Sequence, residues 1–123
     1  MKIAITAKEN KLDSEIDPRF GRCNYFLIIE TETMEFESIA NDSAMASGGA
    51  GIQSAQIVAK TGVVTVITGN IGPNAFQTLK AAGITVITGV QGVINEIIER
   101  YNKNELKETN TPSVESHFGM GRR

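Results

Sequence analysis

The sequence predicts one α/β domain, a five-stranded mixed sheet with about three helices packed on it. Its 123 residues are the usual size of a single domain. Short segments rich in β-branched residues occupy much of the first 40 positions, as expected of strands. In the second half the pattern Thr-Val-Ile-Thr-Gly-x-x-Gly begins at Thr65 and again at Thr85, so a strand, a glycine turn and a helix start are repeated. Strands that alternate with helices at this spacing predict parallel neighbours with right-handed crossovers.

The first half predicts three strands that are mainly antiparallel. Lys2–Ala7 has the apolar density of a buried strand, and Tyr25–Thr31 is a second candidate after a long polar connection. Glu35–Ala40 alternates polar and apolar residues, as a half-buried strand does. Residues 30–34 are few enough to join the last two strands as a hairpin, although they lack an Asn-Gly turn.

The second half predicts the order α-β-α-β-α. Strands are predicted at Val63–Thr68 and Ile84–Thr88, and helices at Pro73–Ala82 and Gly92–Asn102. Gly83 lies where a helix favours a left-handed residue at its C-terminus. The domain is predicted to cover residues 1–103, and the polar residues 104–123 to form a flexible tail. The first helix is predicted from a stripe of small and apolar residues, namely Ile52, Ala55, Val58, Ala59 and Gly62.

Composition excludes several classes of protein. A net charge of −2 gives no general attraction to nucleic acid or anionic lipid. The N-terminal apolar segment is too short for a signal peptide, and the longest apolar run, Phe26–Ile29, is far too short for a membrane span. The single cysteine, Cys23, excludes an intrachain disulfide and cannot supply the four thiolates of an ordinary iron–sulfur cluster. We therefore expect a cytoplasmic protein that binds neither nucleic acid nor membranes.

Glycines stand at the start of all three predicted helices. In parallel β-α units the helix N-termini lie along one edge of the sheet, where their N–H groups attract anions. Three such ends would contribute at most ~3 kcal/mol, which is weaker than millimolar affinity, so tight binding needs further contacts. Turn formation accounts for Gly62, Gly83 and Gly89, whereas a ligand role is at least as well supported for Gly48–Gly51 and for Gly69 with Gly72 and Asn74.

Other candidate residues cluster in the segment Asp17–Cys23. Arg19 and Arg22 flank Gly21 closely enough to pair with one anionic ligand, and Phe20 can anchor the loop in the core. Cys23 is either a small buried hydrophobe or a soft-metal ligand. The single histidine, His117, lies in the predicted tail, where a solvated side chain is the default and a metal ligand the alternative.

Familiar nucleotide and catalytic motifs are absent. Gly49–Ser54 approaches G-x-G-x-x-G but ends in serine, and no G-x-x-x-x-G-K-[ST] sequence is present. With one histidine, one cysteine and no H-E-x-x-H or C-x-x-C, no catalytic triad or acid–base pair is apparent.

Three motifs carry a family resemblance, in the order Asp17–Arg22, Ser47–Gly51 and Gly72–Ala75. Together they resemble the dinitrogenase iron–molybdenum cofactor biosynthesis family, and the likeness extends to about Tyr101. The resemblance implies a ribonuclease-H-like arrangement of the five strands. It also implies a non-catalytic carrier of an anionic iron–sulfur or molybdenum-containing cluster. Lys2–Ala7 agrees with a carrier, because it holds no carboxylate where metal-dependent nucleases of that fold place a ligand.

The resemblance also implies partners and site residues. Cofactor-assembly or target metalloproteins would be the partners of a carrier, and we expect a monomer or a weak homodimer without enzymatic activity.

A binding module for a nucleotide or other small phosphorylated metabolite, using the same glycine-rich helix N-termini, is the alternative, and a hydrolase is the least supported. The candidate cluster-binding residues are Arg19, Phe20, Gly21, Arg22, Ser47, Gly48, Gly49, Gly51, Gly69, Asn70, Gly72 and Asn74, and the candidate metal ligands are Cys23 and His117.

Overall fold

One mixed sheet of five strands carries the fold, and the computed structural model describes residues 1–44 and 48–112 of the chain. The strands are β1 (Lys2–Ala7), β2 (Tyr25–Glu30), β3 (Phe36–Ala40), β4 (Thr65–Ile67) and β5 (Thr85–Ile87). They lie side by side in the order β3-β2-β1-β4-β5. The pairs β1–β2 and β2–β3 are antiparallel, whereas β1–β4 and β4–β5 are parallel, so the sheet changes character at β1.

Three helices follow the third strand: α1 (Ala50–Ala59), α2 (Pro73–Ala81) and α3 (Ile94–Asn102). Two apolar clusters show that α1 and α2 cover one face of the sheet and α3 the other. Both faces of the central strands are therefore buried, which explains why they are almost continuously apolar rather than alternating. Within the described residues, no helix combines the length and the apolar character that crossing a bilayer requires.

The structure confirms the predicted fold class and the order of the elements. The bounds differ: β4 and β5 have three residues each, and β2, β3 and α2 are each one residue shorter than predicted. α1 begins at Ala50, so the glycine run predicted to precede this helix supplies its first turn. α3 begins at Ile94 instead of Gly92, because Gly92 has a φ of 117°, outside the helical region. Gly83, with a φ of 79°, has the predicted left-handed conformation.

The first part of the predicted tail contacts the sheet. The Thr109 N–H donates to the Val86 carbonyl at 2.7 Å, so this segment runs along the outer edge of β5. Leu106 packs against the apolar cluster on the α3 face. Thr109 therefore bonds to an edge that would otherwise expose backbone donors and acceptors. The rest of the predicted tail, residues 113–123, lies outside the described residues.

Candidate functional site

A cavity of about 370 Å³ opens beyond the carboxyl end of β4, where three segments of the chain meet. The segments are residues 19–21, residues 49–52 at the start of α1, and residues 70–75 between β4 and the first turn of α2. The lining includes eight of the residues predicted from the sequence: Arg19, Phe20, Gly21, Gly49, Gly51, Asn70, Gly72 and Asn74. The structure thus brings together stretches that lie far apart in the chain.

A buried carboxylate shapes the loop that contributes the first segment. Asp17 is 1% exposed, and its Oδ1 accepts hydrogen bonds from the Arg19 backbone N–H (3.1 Å) and from Arg19 Nε (3.3 Å). Its Oδ2 accepts from the Asn24 N–H at 3.3 Å, so the carboxylate joins the beginning of the loop to its end. In the described residues the hydrogen bonds of the Arg19 side chain go to Asp17 alone, through Nε. The two terminal amino groups of this guanidinium therefore remain for a ligand.

The loop is fixed to the core and to the β4–α2 connection. Phe20 is 2% exposed, as predicted for an anchor, and its ring lies 5.7 Å from that of Phe26. The Asn70 N–H donates to the Pro18 carbonyl (2.7 Å), and the Phe20 N–H donates to the Asn70 carbonyl (3.1 Å). A Cβ at Gly69 would lie 2.8 Å from the Pro18 Cα, so Gly69 permits this close approach. Gly69 does not line the cavity, and its role is packing rather than ligand contact.

Backbone-to-backbone packing also joins the loop to α1. A Cβ at Gly21 would lie 3.0 Å from the Cα and the N of Gly51. A Cβ at Gly51 would in turn lie 3.3 Å from the Ala75 Cβ, across the α1–α2 interface. Each contact is tighter than an ordinary van der Waals contact, so glycine is what lets the three segments meet.

Two uncapped helix N-termini face the cavity. Neither α1, whose N-cap residue is Gly49, nor α2, whose N-cap residue is Gly72, has a side-chain cap or an acidic residue in its first turn. The first N–H groups of a helix have no intrahelical partner, and Pro73 at the first position of α2 carries no N–H to leave unpaired. An anion at both ends would gain about 0.6–2 kcal/mol.

The third glycine-rich helix start does not contribute to this cavity. α3 packs on the opposite face of the sheet, and its N-terminal region pairs with the loop after β1. The Ile16 N–H donates to the Gly92 carbonyl, and the Ile94 N–H donates to the Ser14 carbonyl, both at 2.9 Å. The helix ends available to one ligand are therefore two, not three.

Arg22 lies outside the cavity lining. Its Nη1 donates to the Ala44 carbonyl at 2.6 Å, which ties the loop to the turn after β3. The structure thus separates the two arginines that the sequence groups together: Arg19 borders the cavity, whereas Arg22 makes a backbone contact elsewhere.

Cys23 occupies the apolar core rather than the cavity. Its side chain is fully buried among residues of the α1–α2 face, and it does not line the cavity. Burial raises the pKa of the Cys23 thiol far above its usual range, and the negative charge of Asp17 acts in the same direction. A thiol binds metal as the thiolate, so this environment favours the small-hydrophobe interpretation over the metal-ligand one.

Three other candidates stand apart from the lining. Gly48 is exposed and does not border the cavity. Ser47 and His117 lie outside the described residues.

The cavity offers hydrogen-bond donors but no described metal ligand. Its described lining contains no acidic residue, cysteine or histidine. Within residues 1–44 and 48–112, no group of three or more histidine, cysteine or acidic side chains could hold a metal ion. Backbone N–H groups and one guanidinium can donate hydrogen bonds to an anion.

Sequence analysis identified Phe20 among the apolar lining residues, but did not select Ile52, Ile71 or Pro73 as individual site residues. Ile52, Ile71 and Pro73 border the cavity, yet Ile52 falls on the helical stripe that predicts core packing. Their position in the sequence could have identified Ile52, Ile71 and Pro73, because each lies within or next to a glycine motif.

The fold and the site together define a small α/β domain with a pocket, lined by hydrogen-bond donors and apolar groups, at the carboxyl edge of its parallel strands. The chain belongs to the dinitrogenase iron–molybdenum cofactor family, whose sequence model matches residues 1–104.

Solved structures and one curated relative agree with this membership. The apo form of the orange protein from Desulfovibrio gigas is 39% identical, with a TM-score of 0.87 over 90% of this chain and 94% of that one. A putative NifB protein from Thermotoga is 37% identical, with a TM-score of 0.76 over 89% of this chain and 96% of that one. An uncharacterised protein of Methanocaldococcus jannaschii is 36% identical over 88% of this chain and 91% of its own.

Proposed function

We propose that this chain is a non-catalytic carrier that binds an anionic iron- or molybdenum–sulfur cluster, or a cofactor precursor, during metallocofactor assembly. Membership of the iron–molybdenum cofactor family supports the class of cargo. The similar orange protein is described as an apo form, which supports the idea of a separable bound group.

The composition of the cavity lining is the observation that carries the proposal. A cluster that already has its sulfide ligands presents an anionic outer surface and needs donors rather than metal-binding side chains. Arg19 and the first turns of α1 and α2 supply such donors, while Phe20 and Ile71 supply apolar contact. The cavity volume of about 370 Å³ is in the range of small-molecule sites.

The polar contacts alone would hold the cluster weakly. One charge-assisted hydrogen bond from Arg19 contributes about 1.5–3 kcal/mol, and the two helix ends contribute about 0.6–2 kcal/mol. Together these contributions reach at most about 5 kcal/mol, which corresponds to sub-millimolar affinity, so tighter binding would need contact with the apolar lining. Cofactor-assembly or target metalloproteins are the proposed partners, the protein acts as a monomer or weak homodimer, and its location is cytoplasmic.

Anaerobic reconstitution tests the proposal. Purified protein is mixed with a preformed molybdenum–sulfide or iron–sulfide cluster and desalted, and metal and visible absorbance are measured. We expect one cluster per chain, and equal retention by Cys23→Ser, because Cys23 does not line the cavity. Arg19→Gln should weaken binding about ten- to a hundredfold. Lys60→Gln, which removes the same charge at the far end of α1, should not. Absence of retained metal in both the wild type and Cys23→Ser would contradict the carrier function.

A phosphorylated small molecule is the alternative ligand, because phosphate oxygens accept the same N–H and guanidinium hydrogen bonds. Thermal-shift measurements with nucleotides and sugar phosphates distinguish the two functions. A carrier should be stabilised by the cluster and not by these compounds, whereas the alternative predicts the reverse. We propose no hydrolytic activity, since the described lining holds no carboxylate or histidine to act as acid or base.

A further inference from the structure

A buried polar cluster lies behind the pocket, between its first two segments. Its members, Asn41 after β3, Ser43 and Ser54 on α1, expose 7%, 5% and 0% of their surface. Buried polar side chains are costly unless they are hydrogen-bonded. In the described part of the chain, no buried side-chain nitrogen or oxygen lacks a partner, so these three form a complete network. None of them lines the pocket.

Asn41 joins the end of β3 to the loop that carries Arg19. Its Nδ2 donates to the Cys23 carbonyl (3.0 Å) and to the Gly21 carbonyl (3.2 Å). Its Oδ1 accepts from the Ser43 hydroxyl (2.7 Å) and from the Ser43 N–H (3.2 Å). An amide group has two donor protons and two acceptor lone pairs, so the hydrogen-bonding capacity of Asn41 is fully used.

Ser54 reaches the same loop from α1. Its hydroxyl donates to the Gly21 carbonyl at 3.1 Å, and Asn41 Oδ1 (3.3 Å) and the Ser43 hydroxyl (3.0 Å) are alternative acceptors of the same proton. The Gly21 carbonyl therefore accepts two hydrogen bonds, one from the end of β3 and one from α1.

These bonds act at the point where two walls of the pocket touch. The Gly21 backbone packs against the Gly51 backbone, where even a Cβ on Gly21 would come within 3.0 Å of Gly51 atoms. Other restraints on the loop act at different points: Asp17 bonds within the loop itself, Asn70 joins it to the β4–α2 connection, and Arg22 bonds the Ala44 carbonyl in the turn after β3. Among the described residues, this network is what bonds the loop to α1 through a side chain on that helix.

We propose that Asn41, Ser43 and Ser54 are positioning residues that hold the Arg19 loop against the N-terminus of α1 and so set the width of the pocket. The inference rests on the proposed function, because the ligand that the width fits is the cluster. The three residues do not touch this ligand. They act through the Gly21 carbonyl and, through it, on the distance between the guanidinium and the α1 N–H groups.

Two variants test the network. Ser54→Ala removes one donor to Gly21, and Asn41→Asp keeps the acceptor oxygens but replaces the two N–H donors with a carboxylate that faces two carbonyls. Ser14→Ala is the matched control, because Ser14 is a buried serine (3% exposed) with two hydrogen bonds in a loop that does not line the pocket. All three should lower the melting temperature, so melting temperature alone does not decide the question.

Two measurements decide it. The first is amide hydrogen exchange in the cargo-free protein at Phe20 and Gln53, whose N–H groups bond Asn70 and Gly49, with Thr85 as a reference amide. We expect exchange at Phe20 and Gln53 to accelerate in Ser54→Ala and Asn41→Asp while Thr85 is unchanged, and Ser14→Ala to leave all three unchanged. The second is cluster affinity, which should fall about three- to tenfold in Ser54→Ala and further in Asn41→Asp, but not in Ser14→Ala.

The outcomes separate the two proposals. If the wild type binds the cluster and Ser54→Ala matches Ser14→Ala in affinity and exchange, the positioning role is wrong. If the wild type retains no cluster, the proposed function fails, and the exchange measurement still shows whether the network holds the pocket walls together. Uniform acceleration at all three amides would indicate general destabilisation and would also overturn the positioning role.

Discussion

At the scale of single residues, the pocket glycines differ in what a side chain would meet. At Gly69 a Cβ would lie 2.8 Å from the Pro18 Cα and 2.9 Å from its carbonyl oxygen. At Gly72, which lines the cavity, no atom lies within 4 Å of a Cβ, and its φ of −83° suits any residue. Glycine is thus required for packing at Gly69, whereas at Gly72 it keeps the mouth of the cavity open.

Substitution of these two glycines should have opposite consequences. Gly72→Val should leave the free energy of unfolding within about 1 kcal/mol of the wild type, because no atom lies within 4 Å of the new Cβ, yet reduce cluster retention by obstructing the cavity. Gly69→Ala should lower the free energy of unfolding by about 1–3 kcal/mol through the clash with Pro18. Urea denaturation and cluster titration of both variants measure the two effects. Equal loss of stability in the two would contradict the assignment.

Cys23 gives the protein a predicted pH dependence. Its thiol pKa is raised in the folded state by burial, whereas in the unfolded chain it ionises near pH ~8.5. Above that pH the folded chain holds one proton more than the unfolded chain, so the free energy of unfolding falls as pH rises, by at most about 1.4 kcal/mol per pH unit. Cys23→Ala should be less stable at neutral pH but lose less between about pH 7.5 and 9.5. Equal slopes in urea denaturation series would show that this thiol is not the cause.

The role of a single residue can be predicted from sequence when it follows from its own side chain, and not when it depends on residues far away in the chain. Arg19 and Phe20 were identified from charge and bulk, and both line the cavity. Gly69 and Gly72 look alike in sequence, since each stands beside the start of α2. They differ because Pro18, about fifty positions earlier, packs on one of them. Asn41 carries no motif at all, and its importance arises from carbonyl groups that the fold brings to it.

At the scale of elements, the two helices beside the pocket lack the N-terminal side-chain caps and acidic residues that would stabilise them. The first turns of α1 and α2 contain no acidic residue, although a negative charge there stabilises a helix. Such a charge would occupy the position of an anionic ligand. We infer that the missing caps are part of the binding site, since both uncapped ends face one cavity.

An acidic residue at the start of α2 should therefore stabilise the protein and impair binding. Asn74 lies in the first turn of α2 and lines the cavity. Asn74→Asp should raise the free energy of unfolding by about 0.3–1 kcal/mol while repelling the anionic cluster. Gln77→Glu makes the same amide-to-acid change in the middle of the helix, where neither effect should appear. Denaturation and reconstitution of both variants provide the comparison, and unchanged retention in Asn74→Asp would place the cluster away from α2.

The strands and helices could be predicted because their apolar residues recur with clear periodicity. Which helices border the pocket could not be predicted. Glycine-rich segments precede all three helices, and sequence alone gives no reason to separate α3 from α1 and α2. The separation comes from the side of the sheet that each crossover takes, which places α3 on the other face. The contacts of Leu106 and Thr109 could not be predicted either. Their segment is short and polar and has the sequence of a flexible tail, and its contacts depend on the sheet and on the apolar cluster that the rest of the chain forms.

At the scale of the whole molecule, ligand binding should be linked to global stability. The pocket walls come from residues 19–21, 49–52 and 70–75, so a ligand that contacts all three restrains the loop, α1 and α2 together. A ligand that binds only the folded state adds about 2.7 kcal/mol to the free energy of unfolding at one hundred times its dissociation constant. A cluster adsorbed on the surface, with similar affinity for the unfolded chain, adds much less.

Denaturation at increasing cluster concentration measures this linkage. The stabilisation of the wild type should rise with the logarithm of free cluster concentration, and the dissociation constant obtained from it should equal that from titration. Arg19→Gln should need a cluster concentration about ten- to a hundredfold higher for the same stabilisation, and Lys60→Gln the same concentration as the wild type. A cluster retained at one per chain without any stabilisation would mean that it does not bridge the three segments, and that the pocket between them is not its binding site.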